Sequence, residues 1–242
     1  MRFILLILTF LLLSGRAFAT ELTIGLIPEQ NVFKQVERYE PLGQYIEEKT
    51  GIKIKFTILS RYGNIIENFY KKKLDGAFWG SFTGAMAIKK LNIELIVRPV
   101  NEDGNSTYSG YIFVRKDSGI KNIADMKGKT VAFVERATTA GYVYPIAYFK
   151  EHGVSNINTY FREYYFAGSH DAAIAAVLNK KADIGCAKNS MFDRIAKNDP
   201  HIKDEIVVIA ESPHVPSNGL GLRKEIAFGV KAEIKRALLD MD

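Results

Sequence analysis

Residues 129–145, KTVAFVERATTAGYVYP, pass from an apolar strand pattern through a turn of small residues into a helical pattern. Thr138 and Thr139 stand where the strand pattern ends. A threonine there can cap the helix, because its side-chain oxygen accepts a hydrogen bond from a free backbone N–H. The free N–H groups and the helix dipole can also hold an anion. This stretch by itself favours the cap, so the choice depends on the rest of the chain.

Strand and helix patterns alternate along the rest of the chain in the same way. Strand patterns occupy 21–28, 52–58, 75–80, 94–100, 110–117, 129–135, 182–187 and 206–211, and helical patterns occupy about 32–50, 63–73, 141–152, 170–181 and 189–197. Strands separated by helices of about 10–15 residues indicate crossover connections and a largely parallel sheet. With a further strand expected to end just before the helix at 170, about nine strands are predicted, and these suit two sheets better than one. We therefore expect an α/β protein whose ligand site lies outside the carboxyl ends of the strands.

Residues 1–19 have the organisation of a cleavable signal peptide. Arg2 precedes the apolar run FILLILTFLLL, and Ala17-Phe18-Ala19 form an A-x-A cleavage site. The run is shorter than the roughly 20 residues that a membrane-spanning helix needs. No cysteine follows the cleavage site, so a lipid anchor is not expected. The mature chain is predicted to be exported and soluble.

Composition disfavours several classes of function. The net charge of the 242-residue chain is +6, but the basic residues are scattered, which disfavours nucleic-acid binding. Cys186 is the only cysteine, so it is predicted to be a small buried hydrophobe and cannot form an intrachain disulfide. The four histidines lack the spacing of metal ligands. No metal and no cofactor are expected.

Further polar residues follow predicted strands or open predicted helices, where a ligand would meet them. These are Ser81, His170, Lys188 and Asn189, together with Tyr62 and Tyr108 at segment boundaries. Structural interpretations exist for each kind: a serine can cap a helix, a histidine can lie on the surface, and a tyrosine can pack its ring. A protonated histidine could instead donate two hydrogen bonds to an anion. The patterns assign these residues to different crossover units, and this convergence favours a binding site.

Thr139 and His170 also suggest a hydrolase, with a hydroxyl nucleophile and its base. No nucleophile-elbow spacing such as G-x-S-x-G surrounds either threonine of the turn. The chain is therefore not expected to be an enzyme.

Several segments, taken in order, resemble the periplasmic substrate-binding proteins of phosphonate, phosphite and phosphate ABC transporters. They are IGLIPEQN (24–31), YEPLGQYIEEKTGIKIKF (39–56), SRYGNIIENFYKKKLDGAFWG (60–80), YSGYIFVRKDSGI (108–120), IADMKGKTVAFVERATTAGYVYP (123–145), GSHDAAIAAVLNKKADIGCA (168–187) and ESPHVPSNGL (211–220). The segment 123–145 is the most specific, being similar to the family's D-L-K-G-K-x-V-A-F-V, a serine/threonine-rich turn, S-G-Y and a proline. The resemblance covers about residues 21–241.

The resemblance implies the type II periplasmic binding protein fold, with two Rossmann-like lobes of mixed, mostly parallel sheets and a hinged cleft. Lobe 1 would hold residues 20–108 and 218–242, and lobe 2 residues 109–217. Thr138 and Thr139 would hold the phosphoryl-type oxygens with the amides of their turn, and His170 would donate from the neighbouring helix start. The remaining predicted ligand-binding residues are Tyr62 and Tyr108, reaching in from the other lobe and the hinge, with Ser81, Ala140, Lys188 and Asn189.

The chain departs from the family pattern at several places. Ala140 stands where family members usually carry a third hydroxyl residue, so one oxyanion donor is expected to be missing. Members that take amino-phosphonates use acidic side chains for the amine, whereas this chain has Asn218 and Lys188-Asn189 at the cleft loops. The cleft is therefore expected to lack the acidic side chains that would bind a cationic ligand tail. Relatives continue beyond KRALLDMD by a helix or more, which leaves open a truncation at this end.

The function that this resemblance implies is capture of a small phosphorus oxyanion for an ABC importer. The partners would be the anion and the permease in the inner membrane, and a monomer is expected. Two alternatives remain open at this point: a receptor that reports to a membrane sensor, and an exported enzyme on the same fold.

Overall fold

The computed structural model describes residues 20–59, 65–101 and 104–241. The predicted signal peptide, residues 1–19, and the predicted ligand residue Tyr62 lie outside these ranges. Within them, no helix has both the length and the apolar composition that crossing a membrane would require.

Twelve strands and nine helices occur among the described residues. The strands are β1 (Glu21–Leu26), β2 (Lys53–Ile58), β3 (Gly76–Trp79), β4 (Ile93–Val97), β5 (Thr107–Tyr108), β6 (Gly110–Arg115), β7 (Thr130–Phe133), β8 (Glu163–Phe166), β9 (Ile184–Lys188), β10 (Ile206–Glu211), β11 (Val215–Pro216) and β12 (Gly219–Arg223). The helices are α1 (Val32–Thr50), α2 (Ile65–Lys71), α3 (Ser81–Lys90), α4 (Tyr144–Glu151), α5 (Ile157–Tyr160), α6 (His170–Leu178), α7 (Asn189–Asn198), α8 (His201–Glu205) and α9 (Phe228–Leu239). A π-helical turn, Thr139–Val143, precedes α4.

Ten of these strands form two five-stranded sheets with the same internal order, and β5 and β11 form a two-stranded ribbon. The first sheet runs β2-β1-β3-β12-β4, and the second, read from its far edge, runs β8-β7-β9-β6-β10. In each, the fourth strand in this order is antiparallel to both neighbours and the other pairs are parallel. Both reversed strands, β6 and β12, come from segments where the chain crosses between the sheets. The predicted α/β class with mixed, mostly parallel sheets is confirmed.

Local sequence explains the long first helix. Its predicted range of about 32–50 agrees with α1, where the Asn31 side chain accepts hydrogen bonds from the amides of Phe33 and Lys34. Gly51 ends the helix with φ of 69°, a left-handed conformation that glycine adopts without strain. Strand β12 was not predicted, because glycine alternates with leucine in GLGLR. The structure shows why a small residue is needed at position 221, since a Cβ at Gly221 would lie 2.8 Å from the Trp79 ring.

Helices cover both sheets, and apolar side chains fill the layers between them. Cys186 is fully buried in the second sheet, as predicted. One cluster joins the two halves, since Ile27 and Trp79 of the first half pack in it with Val134 and Ala173 of the second. This contact brings the loops after β1, β3, β7, β8 and β9 together.

Candidate functional site

A cleft lies between these loops. Its volume is about 300 Å³ when the space at its opening to solvent is included. Of the predicted site residues, Ser81, Tyr108, Thr138, Thr139, Ala140, His170 and Lys188 line it, together with Glu29, Phe82 and Asn218. The lining groups come from both halves of the molecule and from the short β5–β11 ribbon that connects them. The polar residues that were predicted at strand ends therefore lie together in one cleft.

Three hydroxyl groups meet at the N-terminus of α3. The Ser81 hydroxyl shares hydrogen bonds of 2.6 Å with the Tyr108 hydroxyl and 2.8 Å with the Thr139 hydroxyl. The backbone N–H of Phe82 donates to the Thr139 oxygen over 3.2 Å. Gly80, the residue before the helix, supplies no capping side chain, and Thr139 of the other half takes up the Phe82 amide instead. This group of hydroxyl and amide donors is suited to an oxyanion.

The threonine turn is built differently from the predicted helix cap. Thr138 is 4% exposed and its hydroxyl donates to the carbonyl of Glu135 over 2.5 Å, while the helix start has no side-chain cap. The cap interpretation is therefore wrong for this turn. A Cβ at Gly141 would collide with the Val134 side chain and lie 2.8 Å from the Thr138 oxygen. The small residues of the turn are thus required by close packing, which leaves Thr139 to face the other half.

Ala140 is buried against the backbone of β6. A Cβ at Gly110 would lie 3.2 Å from the Ala140 Cβ, so the two small residues are in close approach. Ala140 lines the cleft, but its methyl group donates no hydrogen bond.

His170 opens α6 and is 4% exposed. Its Nδ1 atom accepts a hydrogen bond from the backbone N–H of Lys188 over 3.1 Å. Burial lowers the pKa of His170 to about 4 and outweighs the opposing effect of Glu29. This pKa disfavours the protonated histidine with two donors that was considered from the sequence. His170 is neutral near pH 7 and keeps one donor, the N–H at Nε2.

Lys188 forms a buried ion pair with Glu29. The Nζ atom lies 3.2 Å from Oε1 of Glu29, and the two side chains are 11% and 10% exposed. The ammonium also donates to Oδ1 of Asn218 over 3.4 Å and lies 4.5 Å from the centre of the Tyr108 ring. Burial acts to raise the pKa of Glu29, but the nearby positive charges, of which Lys188 is the largest influence, outweigh it and the pKa is lowered. Glu29 is therefore a carboxylate.

Glu29 is a charged lining residue that sequence reasoning missed. It follows β1 in the segment IGLIPEQN, so the rule applied to the other strand ends would have found it. Its backbone N–H donates to the side chain of Gln35 over 3.0 Å, and its carbonyl accepts from the backbone N–H of His170 over 3.1 Å. These bonds hold the loop after β1 against the second half.

Asn189 does not take the predicted place in the cleft lining. Its side-chain oxygen accepts from the backbone N–H of Ser109 over 3.0 Å, and its own backbone N–H donates to the Ser109 carbonyl over 3.0 Å. These two bonds join the start of α7 to the segment between β5 and β6. Asn189 is therefore a structural residue beside the cleft.

Further hydrogen bonds join the halves at the rim of the cleft. The backbone N–H of Asn31 donates to the Asp171 carboxylate over 2.9 Å, and Arg194 donates to the side chain of Gln30 over 2.8 Å. The loop after β1 thus spans the start of α6 and the middle of α7.

The side-chain partners do not assemble the hydrolase pair considered from sequence. Thr139 bonds with Ser81 and Phe82, whereas His170 Nδ1 bonds with the backbone of Lys188. In the part of the chain that the structure describes, no three His, Cys, Asp or Glu residues are grouped so that they could hold a metal ion.

Comparison with known proteins relates this geometry to a family. A family profile described as ABC transporter, phosphonate, periplasmic substrate-binding protein matches residues 24–242. The chain is similar to the phosphate-import protein PhnD of Mycolicibacterium smegmatis, with 30% identity over 192 residues, 75% of this chain and 59% of that protein. It is similar to the phosphonates-binding periplasmic protein of Escherichia coli, with 27% identity over 218 residues, 88% of this chain and 64% of that protein. The chain thus spans less than two thirds of the length of these two relatives.

A solved structure has the same fold. PhnD1 from Prochlorococcus marinus, in complex with methylphosphonate, superimposes with a TM-score of 0.80 and 21% identity over 93% of this chain and 85% of that chain. The family profile covers nearly all of the described residues and both halves of the cleft. The chain belongs to the family of periplasmic substrate-binding proteins of phosphonate ABC transporters.

Proposed function

We propose that this protein captures a small phosphorus oxyanion in the cleft and presents it to an ABC importer. The observation that carries the proposal is the group of donors at the start of α3. There the Ser81 hydroxyl lies 2.6 Å from the Tyr108 hydroxyl and 2.8 Å from the Thr139 hydroxyl. Hydroxyl groups can turn to donate to an anion, and the dipole of the ten-residue helix α3 favours negative charge at the same place.

The binding would need no metal. Hydrogen bonds to a charged group contribute about 1.5–3 kcal/mol each, and the neutral His170 adds an Nε2–H donor to the hydroxyls. Four or five such bonds contribute about 6–15 kcal/mol. This reaches the roughly 8 kcal/mol of micromolar binding when the bonds are near the strong end of their range and the association cost of about 4–15 kcal/mol is near its low end. The names of the relatives favour phosphate or a phosphonate over other anions.

Closure of the lobes over the ligand would let a membrane partner distinguish the occupied protein from the empty one. In this proposal the lobes are residues 20–108 with 218–242, and 109–217, and the hinge lies at the chain crossings near Ser109 and Ser217. Binding shifts such an equilibrium toward the closed form. The protein would act in the periplasm as a monomer, meet the permease there, and release its ligand chemically unchanged.

Titration calorimetry of the purified protein with phosphate, phosphite, methylphosphonate and sulfate tests the proposal. We expect at least one phosphorus compound to bind at micromolar concentration, and phosphorus NMR to find it intact after prolonged incubation. Absence of binding by all three phosphorus compounds would contradict the proposal, as would turnover of any of them.

Replacing Thr139 with valine keeps the shape of the side chain and removes its hydroxyl. We expect the variant to bind the same ligand about tenfold more weakly or worse, because one hydrogen bond to a charged group is lost. Thr139→Ser retains the hydroxyl and serves as the matched control, with affinity near that of the wild type. Full-strength binding by Thr139→Val would remove Thr139 from the site.

A further inference from the structure

The ammonium of Lys188 is held by three kinds of group at once. It contacts the Glu29 carboxylate at 3.2 Å, the Asn218 side-chain oxygen at 3.4 Å and the face of Tyr108 at 4.5 Å from the ring centre. A carboxylate, an amide oxygen and an aromatic face are the groups with which proteins bind an ammonium ligand. Here a side chain of the protein itself occupies such a place.

This arrangement is part of the cleft and not of a distant core. Lys188, Glu29, Asn218 and Tyr108 all line the same space as the hydroxyl groups at the start of α3. The Tyr108 hydroxyl bonds to Ser81 while its ring lies against the lysine, so one residue borders both the proposed oxyanion site and the ammonium. A substituent on a bound oxyanion would therefore be close to Lys188.

The opposite charges of Glu29 and Lys188 give this part of the cleft no net charge. Glu29 and Lys188 are both nine-tenths buried, and Lys188 lowers the pKa of Glu29, so the carboxylate persists beside the ammonium. A second ammonium brought here by a ligand would meet a fixed like charge and acceptors that Lys188 already engages. Like-charge juxtaposition in a buried site is a strong device for rejecting a ligand.

We propose that Lys188 fills an ammonium subsite of the cleft, so that the protein selects phosphorus oxyanions that carry no cationic substituent. This inference rests on the proposed function and identifies Lys188 as the residue that determines specificity. Glu29, Asn218 and Tyr108 are the groups that would otherwise receive an amine.

The experiment compares ethylphosphonate with 2-aminoethylphosphonate, which differ by the terminal amine. Titration of the wild-type protein is expected to give at least about tenfold tighter binding of ethylphosphonate, because the amine faces Lys188. In Lys188→Ala the acceptors are released and space is opened. The preference should then move toward 2-aminoethylphosphonate by about tenfold or more.

Two further variants separate specificity from general damage. Lys188→Ala combined with Glu29→Gln removes the carboxylate as well, and this double variant should lose the gain in amine binding. Lys181→Ala changes an exposed lysine before β9 and should keep the wild-type ratio.

The outcomes distinguish this inference from the function on which it rests. If neither compound nor phosphate, phosphite or methylphosphonate binds the wild type, both are overturned. If ethylphosphonate binds and 2-aminoethylphosphonate binds as tightly or more tightly, only the role of Lys188 is overturned. An unchanged ratio in Lys188→Ala overturns it too, and should that variant fail to fold, the wild-type ratio decides alone.

Discussion

At the scale of single residues, burial sets the protonation state of His170. His170 is 4% exposed and faces Glu29, Lys188 and Asp171, of which the two carboxylates favour its protonation and the lysine opposes it. Burial is the largest effect and holds its pKa at about 4, against an ordinary value of 6.5. The residue can therefore serve as a neutral donor to an anion without a change of charge near pH 7.

This pKa predicts how stability depends on pH. Between pH 6.5 and about 4 the unfolded chain protonates His170 while the folded chain does not. The unfolded state then binds more protons, so the free energy of unfolding falls as the pH falls, by at most about 3 kcal/mol at pH 4. Glu29 adds its own loss only below its ordinary value of 4.5, because its pKa is lowered.

Urea denaturation at a series of pH values measures this slope. His170→Asn retains an acceptor for the Lys188 amide but cannot titrate, so its stability should change less between pH 7 and pH 4. His201→Asn, at an exposed position outside the cleft, should follow the wild type. Equal slopes for His170→Asn and the wild type would show that His170 does not titrate in this way.

At the scale of elements, the π-helical turn is held against β7 by close packing at Gly141. Gly141→Ala would place a methyl group against the side chain of Val134 and 2.8 Å from the Thr138 hydroxyl oxygen. Overpacking of this kind costs about 1–3 kcal/mol, so we expect the free energy of unfolding to fall by that amount. Ligand binding should weaken as well, because the turn carries Thr139.

A second glycine-to-alanine change provides the control in denaturant titrations. A Cβ at Gly229 in α9 would point into open space, and alanine is the better helix former. Gly229→Ala should therefore leave stability unchanged or raise it by up to about 1 kcal/mol. A Gly141→Ala protein as stable as the wild type would contradict the packing account.

At the scale of the whole molecule, contacts across the cleft would favour the closed form of the proposed lobes. Arg194 of α7 reaches the side chain of Gln30 in the loop after β1, over 2.8 Å. Arg194→Gln shortens the side chain that makes this contact. If the contact stabilises the closed form by about 0.5–1.5 kcal/mol, its loss should weaken ligand affinity about two- to tenfold.

Calorimetric titration with the ligand found for the wild type measures this effect. Lys197→Gln alters an exposed residue of the same helix and should bind like the wild type. Unchanged affinity in Arg194→Gln would mean that the contact does not contribute to closure.

The periodicity of the sequence determined the architecture and much of the lining of the cleft. Alternation with a period of two marked the main strands, and the apolar spacing and end residues marked α1. The rule that ligands meet the carboxyl ends of strands selected Ser81, Thr139, His170 and Lys188, which do line one cleft. These signals are local, because each depends on residues within a few positions of one another.

Tertiary structure decided which of these groups touch and what charge they carry. Glu29 and Lys188 are 159 positions apart, and Ser81 and Thr139 are 58 apart, so no local pattern relates them. Asn189 is one position from Lys188, yet it bonds to Ser109, because successive residues at a strand end point in different directions. The neutral state of His170 follows from burial between two halves of the molecule, and burial is a property of the packed chain, not of the sequence around the residue.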